Sequence, residues 1–260
     1  MRTEQQAMKI YKYNPLIRGK IIGKLTNYDF FLYEVLFREL QREVRQQCYF
    51  EFLNITLHIH MPRLKELLYQ NGDKVPKNWR DDVKQSLTRL RALTIELQNY
   101  EVPDESYLKE ESNILTITSD VKLLRKIEYA SFGMLENPEI IDNTLYWTFS
   151  KYMYFWAWYK KNYTHLDLSA LYLLNSKYAQ RMYEYLTLCQ SINKAHNNEF
   201  DTISINKEDF ENIIGIKNSS VAVLFQKIHL NSVVLPELRK IYPNIEIVSP
   251  KRMNFIDIKL

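Results

Sequence analysis

Glycine is scarce in this chain, five among 260 residues. None forms the spaced pairs whose backbone amides cradle a phosphate, which argues against a nucleotide-driven motor. Cysteine is scarcer still. Cys48 and Cys189 stand alone, without the Cys and His spacings of a zinc site or the dense, even cysteines of a secreted scaffold. Both read as small buried hydrophobes, and neither a metal nor a cofactor is implied. No apolar run approaches the ~20 residues of a membrane-spanning helix. Residues Met1 to Ile10 carry Arg2 and Glu4 with no apolar stretch behind them, unlike a secretory signal. These absences predict a cytoplasmic protein with no membrane partner. A large excess of one charge is also missing. Thirty-five basic residues face 31 acidic ones, and a net charge of +4 is by itself a weak nucleic-acid signal.

The distribution of charge says more than its sum. Residues 1–24 hold six bases (Arg2, Lys9, Lys12, Arg18, Lys20, Lys24) against one acid, Glu4, and read as a basic arm suited either to phosphates or to plain solvation. Beyond the arm, the length and the 46% hydrophobic content fit two domains of ordinary size, expected over 25–160 and 161–260.

The first of these opens with a helical pattern from Leu25. Thr26 or Asn27 is available as an N-cap, and Leu32, Val35, Leu36 and Leu40 share a stripe. A strand follows, with Leu53, Ile55, Leu57 and Ile59 alternating with Asn54, Thr56, His58 and His60. Pro62 opens a short helix, and after the turn at Asn71 and Gly72 another runs from about Asn78 to Arg91. Strand-like segments at Leu93 to Gln98 and Asn113 to Thr118, joined by an acidic loop, complete the outline of a helix-turn-helix with a wing. Tyr146 to Tyr163 is densely aromatic. Base stacking is open to such rings, but core packing accounts better for the area they bury.

The second half repeats the plan. A helix spans about Ser176 to Gln190, Ile203 and Ile205 make a short strand, and a helix from Lys207 to Ile214 is closed by Gly215. Ser219 or Ser220 caps a further helix with the stripe Val221, Leu224, Phe225, Ile228 and Leu235. Two strands, Ile245 to Val248 and Phe255 to Ile258, then flank a turn at Ser249 to Asn254. The fold class expected is α+β, two tandem winged-helix domains.

An α-helix fits the major groove, so sequence reading belongs on the outward face of each second helix. Turning 100° per residue from the apolar stripe places Ser219, Val223, Gln226, Lys227 and Leu230 outward, with Lys217 and Ser220 at the entry. Gln226 suits an adenine edge, Lys227 suits guanine or phosphate, and Val223 and Leu230 suit thymine methyls. Lys251 and Arg252 lie in the tip of the C-terminal hairpin, within reach of backbone or minor groove. Ser176, Lys177, Tyr178 and Arg181 gather at a helix start suited to phosphate. In the first domain the outward face offers Lys84, Gln85 and Thr88, flanked by Arg80, Arg89 and Arg91, while Asp81 and Asp82 favour the helix N-terminus but repel phosphate.

The run Phe149, Ser150, Lys151, then Leu173 to Leu186, resembles the theta-type plasmid replication initiators that bind iterons. Ser176, Tyr178, Arg181 and Tyr183 match the family's Ser-x-Tyr-x-x-Arg-Leu-Tyr segment, with Met182 in place of the leucine. Ile214-Gly215-Ile216 and Val234-Leu235-Pro236-Glu237-Leu238 resemble its Leu-Gly-Ile turn and Val-Leu-x-Pro-Ala segment, one residue tighter before Pro236. The resemblance covers Phe149 to Leu260 and is architectural before that. It implies an initiator without catalytic residues whose monomers bind repeated double-stranded sites, chiefly through the second domain. It also implies opening of an AT-rich origin, recruitment of host helicase, and dimers joined through the first domain that repress the gene. Two rivals remain: a winged-helix repressor without origin function, and a rolling-circle nicking enzyme, whose His-hydrophobe-His motif His58-Ile59-His60 fits.

Overall fold

The computed structural model describes residues 9–44, 55–69, 74–103, 124–158, 163–196, 202–216, 220–248 and 255–260. The chain divides into two compact units. Ile22–Tyr163 form a central unit, and Met1–Ile21 together with Thr164–Leu260 form a terminal unit. The chain begins in the terminal unit with β1 (Lys9–Tyr13) and α1 (Asn14–Arg18), and β2 (Lys20–Ile22) lies where it crosses to the central unit. The expected basic arm is therefore no arm over its described residues. Ile10, Tyr13, Leu16 and Ile17 are all buried, and Pro15 starts α1, where a missing N–H costs nothing. Their apolar spacing outweighs the surrounding charge.

In the central unit, α2 (Asn27–Val44) begins with a reciprocal cap: Asp29 N donates to Thr26 Oγ1 at 3.1 Å, and Thr26 N donates to Asp29 Oδ2 at 2.9 Å. The helix is buried on nearly every side, beyond the single stripe the sequence displays, because α3 (Met61–Leu68), α4 (Trp79–Ala92) and α5 (Lys151–Trp158) all pack on it. Between α2 and α3 runs β3 (Leu57–His60), whose apolar and polar residues alternate between buried and exposed as expected.

The wing is not where the sequence suggested. Thr94–Pro103 (β4) pairs with Leu124–Gly133 (β5), and the expected strand over residues 113–118 lies outside the described residues. This ladder is inserted after α4, and the winged-helix sheet is built from later residues: β6 (Glu136–Ile141) and β7 (Thr144–Thr148) form an antiparallel hairpin that joins β3 in the order β3-β7-β6. Asp142 and Asn143 alone connect the two strands, with φ of 46° and 64°. Two positive-φ residues give the turn whose twist matches a tight hairpin, and Asp and Asn tolerate that conformation.

Aromatic residues close the core. Trp156 lies 5.6 Å from Tyr100, 5.5 Å from Phe132 and 5.9 Å from Tyr152 between ring centroids, and Trp147 is fully buried. Packing, not base stacking, claims these rings.

The terminal unit continues with β8 (Tyr163–Asp167), which pairs with β1, then α6 (Leu168–Tyr172), α7 (Lys177–Ala195), β9 (Thr202–Asn206) and α8 (Lys207–Ile214). Gly215 ends α8 at φ 71°, the left-handed cap expected of it. Next come α9 (Val221–Lys227), a π turn (Leu230–Val234), α10 (Leu235–Leu238), and β10 (Glu246–Val248) antiparallel to β11 (Phe255–Lys259), with sheet order β10-β11-β9. Helix, strand, helix, helix, hairpin recurs in both units, with the first strand paired each time to the last. Cys189 is half-buried, not buried, and desolvation pushes its thiol up to about 11, consistent with a packing residue.

Asp29 joins α2 to α4 in the central unit. Arg89 Nε and Nη2 approach its Oδ1 at 3.1 and 2.8 Å, and its carboxylate is fully buried while Arg89 is 36% exposed. Burial alone would raise the Asp29 pKa. Hydrogen bonds from Arg89 and Thr26 outweigh it and hold the group below its ordinary 3.8. A carboxyl whose folded pKa is depressed stabilises fully above the unfolded value and loses that contribution as pH falls through the folded one. Asp29→Ala is expected to cost roughly 2–4 kcal/mol in urea unfolding at pH 7, and the difference from wild type should shrink below about pH 4.

Candidate nucleic-acid interface

The outward face of α4 is polar and cationic. Lys84, Gln85, Thr88 and Arg91 are all exposed, while Val83, Leu87 and Leu90 are buried against the core. Lys84 is ion-paired to Asp81 at 3.4 Å, one turn earlier, and Thr88 Oγ1 donates to Lys84 O at 3.0 Å. Arg89 is committed to Asp29. Arg80 donates through Nη2 to Asn143 Oδ1 at 2.6 Å, pinning the hairpin turn to the start of α4. Between α4 and β6 lies a groove of about 340 Å³ lined by Lys84, Leu87, Thr88, Arg91, Pro138 and Ile140. Sequence reasoning placed Arg80 beside this face and read strand over Lys126 to Phe149, but it did not identify this hairpin as the wing or Arg80 as its anchor. The signal was present: Asp142-Asn143 sits between two short runs of strand-forming residues. From Met134 to Ser150 there are three acids (Glu136, Glu139, Asp142) and no Lys or Arg, so this wing carries the wrong charge to grip phosphate.

In the terminal unit the structure brings together some of the expected residues and withdraws two. Ser220 caps α9, its Oγ accepting from Val223 N at 3.4 Å. Gln226 and Lys227 are exposed, and Val223 is 39% exposed. Phe210 and Phe225, 5.8 Å between centroids, pack α8 against α9. Leu230 is 1% exposed and belongs to the core, contrary to expectation. In an unbroken helix the seven residues from Val223 to Leu230 complete two turns to within about 20°, so both would share a face. His229 interrupts that helix in the left-handed conformation, φ 51° and ψ 48°, and its carbonyl accepts from Val233 N at 2.8 Å as the π turn starts. The phase is reset, and Leu230 turns inward.

Arg181 is the second correction. It is 4% exposed and donates to Ile17 O and Gly19 O at 2.8 Å each, and to Glu184 Oε2 at 2.8 Å. It is spent inside the unit, and no phosphate reaches it. Ser176, Lys177 and Tyr178 stay half-buried at the start of α7, where Ser176 is the cap and Lys177 Nζ lies 5.0 Å from the Tyr178 ring centroid. Tyr183, which matches the resembled motif, is buried, its hydroxyl pushed up to about 12 by desolvation while accepting from Asp167 N at 3.1 Å. Lys217, Ser219, Lys251 and Arg252 lie outside the described residues.

His58 and His60 are exposed on one face of β3. His60 Nδ1 is 3.0 Å from Thr144 Oγ1, and His58 lies beside Tyr146 at 6.1 Å. Among the described residues no group of three or more His, Cys, Asp or Glu is placed to hold a metal ion, and no helix is long and apolar enough to cross a membrane.

A winged helix in each unit, each with an exposed polar face on its second helix-turn-helix helix, defines a tandem winged-helix protein. Residues 10–187 match the family model described as Initiator Replication protein, WH1, and the chain belongs to that family. Among solved structures it is similar to the Pi initiator protein in complex with iteron DNA, with 14% identity, 97% of this chain and 96% of that chain covered, and a TM-score of 0.50. At that identity the likeness concerns the fold. Looser likenesses are found to domains 2 and 3 of RctB, with 12% identity, 97% and 91% coverage and a TM-score of 0.40 in one structure, and 10%, 88%, 79% and 0.39 in another. No curated protein sequence matches the chain.

Leu230 therefore acts through packing. Leu230→Ala should lower unfolding free energy by about 2–4 kcal/mol, and in folded protein it should leave base preference at each position of a bound duplex unchanged. Urea unfolding and binding to a panel of single-base variants separate the two effects.

Proposed function

We propose that this initiator acts on a plasmid: it binds repeated double-stranded DNA sequences at the origin, promotes opening of the adjacent duplex and represses its own gene, all without catalytic chemistry. The observation that carries the reading is the same helix and strand order in both units, each offering exposed hydrogen-bonding side chains on the helix that a winged helix inserts in the major groove. The Pi initiator, similar in fold over nearly its whole length, has been captured with iteron DNA, and an initiator of the same build suits repeats of the same kind.

Reading falls to Gln226, Lys227 and Val223 in the terminal unit, with Lys217, Ser219 and Ser220 at the helix entry and Ser176, Lys177 and Tyr178 beside the backbone. Lys251 and Arg252 supply the cationic wing that the central unit lacks. In the central unit Lys84, Gln85, Thr88 and Arg91 make helix contacts. Self-association fits β5, which among the described residues is hydrogen-bonded on one edge only and exposes Tyr129. Host helicase recruitment in the cytoplasm completes the reading.

The experiment is a minimal plasmid carrying this gene and its flanking repeats, introduced into a permissive host. Replication that depends on the gene and on the repeats is the expected result. Repression of the promoter without replication would replace the initiator by a repressor. With purified protein, Gln226→Ala and Lys227→Ala should each cost about 1–3 kcal/mol at particular base pairs, whereas Lys84→Ala should weaken all sequences alike and flatten the salt slope by about one.

A further inference from the structure

Glu237 lies in α10, directly after the π turn that follows the reading helix, so no free loop separates it from α9. Its side chain is 14% exposed. One carboxylate oxygen, Oε2, accepts from two consecutive backbone amides, Asn175 N at 2.5 Å and Ser176 N at 2.9 Å. These residues enter α7, and Ser176 caps it, with Oγ accepting from Ala179 N at 3.5 Å. Lys240 closes the arrangement from the same side of the fold. Its Nζ lies 3.6 Å from Glu237 Oε1 and donates to Leu173 O at 2.9 Å. From α7 itself, Gln180 Nε2 donates to Leu174 O at 3.0 Å. The segment from Leu173 to Ser176 is thus held from two directions, and the grip on its far end comes from the reading element.

We propose that Glu237 is a positioning residue for DNA recognition: by holding the amides of Asn175 and Ser176 it fixes α9 in register with the start of α7. Gln226 and Lys227 then meet base edges while Lys177 and Tyr178 meet the backbone of the same site. The proposal rests on the DNA-reading function set out above. One side-chain oxygen that accepts from two consecutive backbone amides fixes distance and orientation together, because such bonds are directional. A misplacement of about 1 Å between phosphate contacts, which set orientation, and base contacts, which carry sequence, degrades discrimination before it degrades affinity for DNA in general.

The test uses the full-length protein and a pool of duplexes of about 40 base pairs with randomised centres. Sites are enriched with wild-type protein, and affinity is then measured over a salt series for an enriched duplex and for an unrelated duplex of equal length. Glu237→Gln keeps an oxygen acceptor and should discriminate within about twofold of wild type. Glu237→Ala removes the same charge without the acceptor, and Glu237→Asp keeps the charge but draws it back by one methylene. Both should lose about tenfold or more in the ratio of the two affinities, with affinity for the unrelated duplex within about twofold of the Gln variant. The proposal is overturned if the Ala and Gln variants discriminate alike, or if Ala weakens both duplexes equally. If Glu237→Ala does not fold, Glu237→Asp decides, since wild-type discrimination there excludes a role for reach. Failure of the wild-type protein to enrich any site would instead sink the functional reading itself.

Discussion

Arg181 brings a guanidinium into the interior of the terminal unit, where an uncompensated charge would cost several kcal/mol. It is tolerated because acceptors surround it: Ile17 O, Gly19 O, Ile213 O and the carboxylate of Glu184, which is itself met by Lys12 Nζ at 2.5 Å. These partners come from α1 and its C-terminal flank, from α8, from β1 and from α7 itself. One buried network therefore fastens the beginning of the chain and the helix-turn-helix to the same central helix. The face that α9 presents exists because α8 is held in this way and Phe210 and Phe225 pack between them.

The central unit meets the same need by a smaller device. Asp29 completes the cap of α2 and receives Arg89 from α4, so one carboxylate sets both where α2 begins and how α4 lies on it. Lys84, Gln85, Thr88 and Arg91 are then displayed by a helix with little freedom to tilt. Beside that helix the hairpin of β6 and β7 is acidic and is pinned by Arg80. Electrostatic attraction to DNA in this unit must come from the helix, and the hairpin opposes it.

Much of the fold was legible because it follows from periodicity. The alternation in β3, the core stripe of α7, the glycine that ends α8 and the serine that caps α9 each announce themselves within a few residues. What was not legible depends on events that periodicity cannot register. Residues 1–24 look like a charged tail because the partners of Ile10, Tyr13, Leu16 and Ile17 lie far along the chain, in β8, α7 and α8. The hairpin of the central unit was read only as further strand, because strand-like runs at Leu93 to Gln98 and Asn113 to Thr118 stand earlier in the chain, directly after the helix pair. At the site, Leu230 was misassigned by carrying a regular helical phase across His229, and Arg181 by reading a motif residue as a contact when its acceptors are internal. Glu237 has no local signature at all, since its role depends on amides about 60 residues before it.

The terminal unit is assembled from both ends of the chain, with Ile22–Tyr163 completed between them. Synthesis from the N-terminus lets the intervening unit form first, while β1 and α1 wait until β8, α7 and α8, on which they pack, leave the ribosome. Ile10 and Ile17 therefore lack these partners until the chain has been made through α8, so their burial comes only after the whole intervening unit has been synthesised.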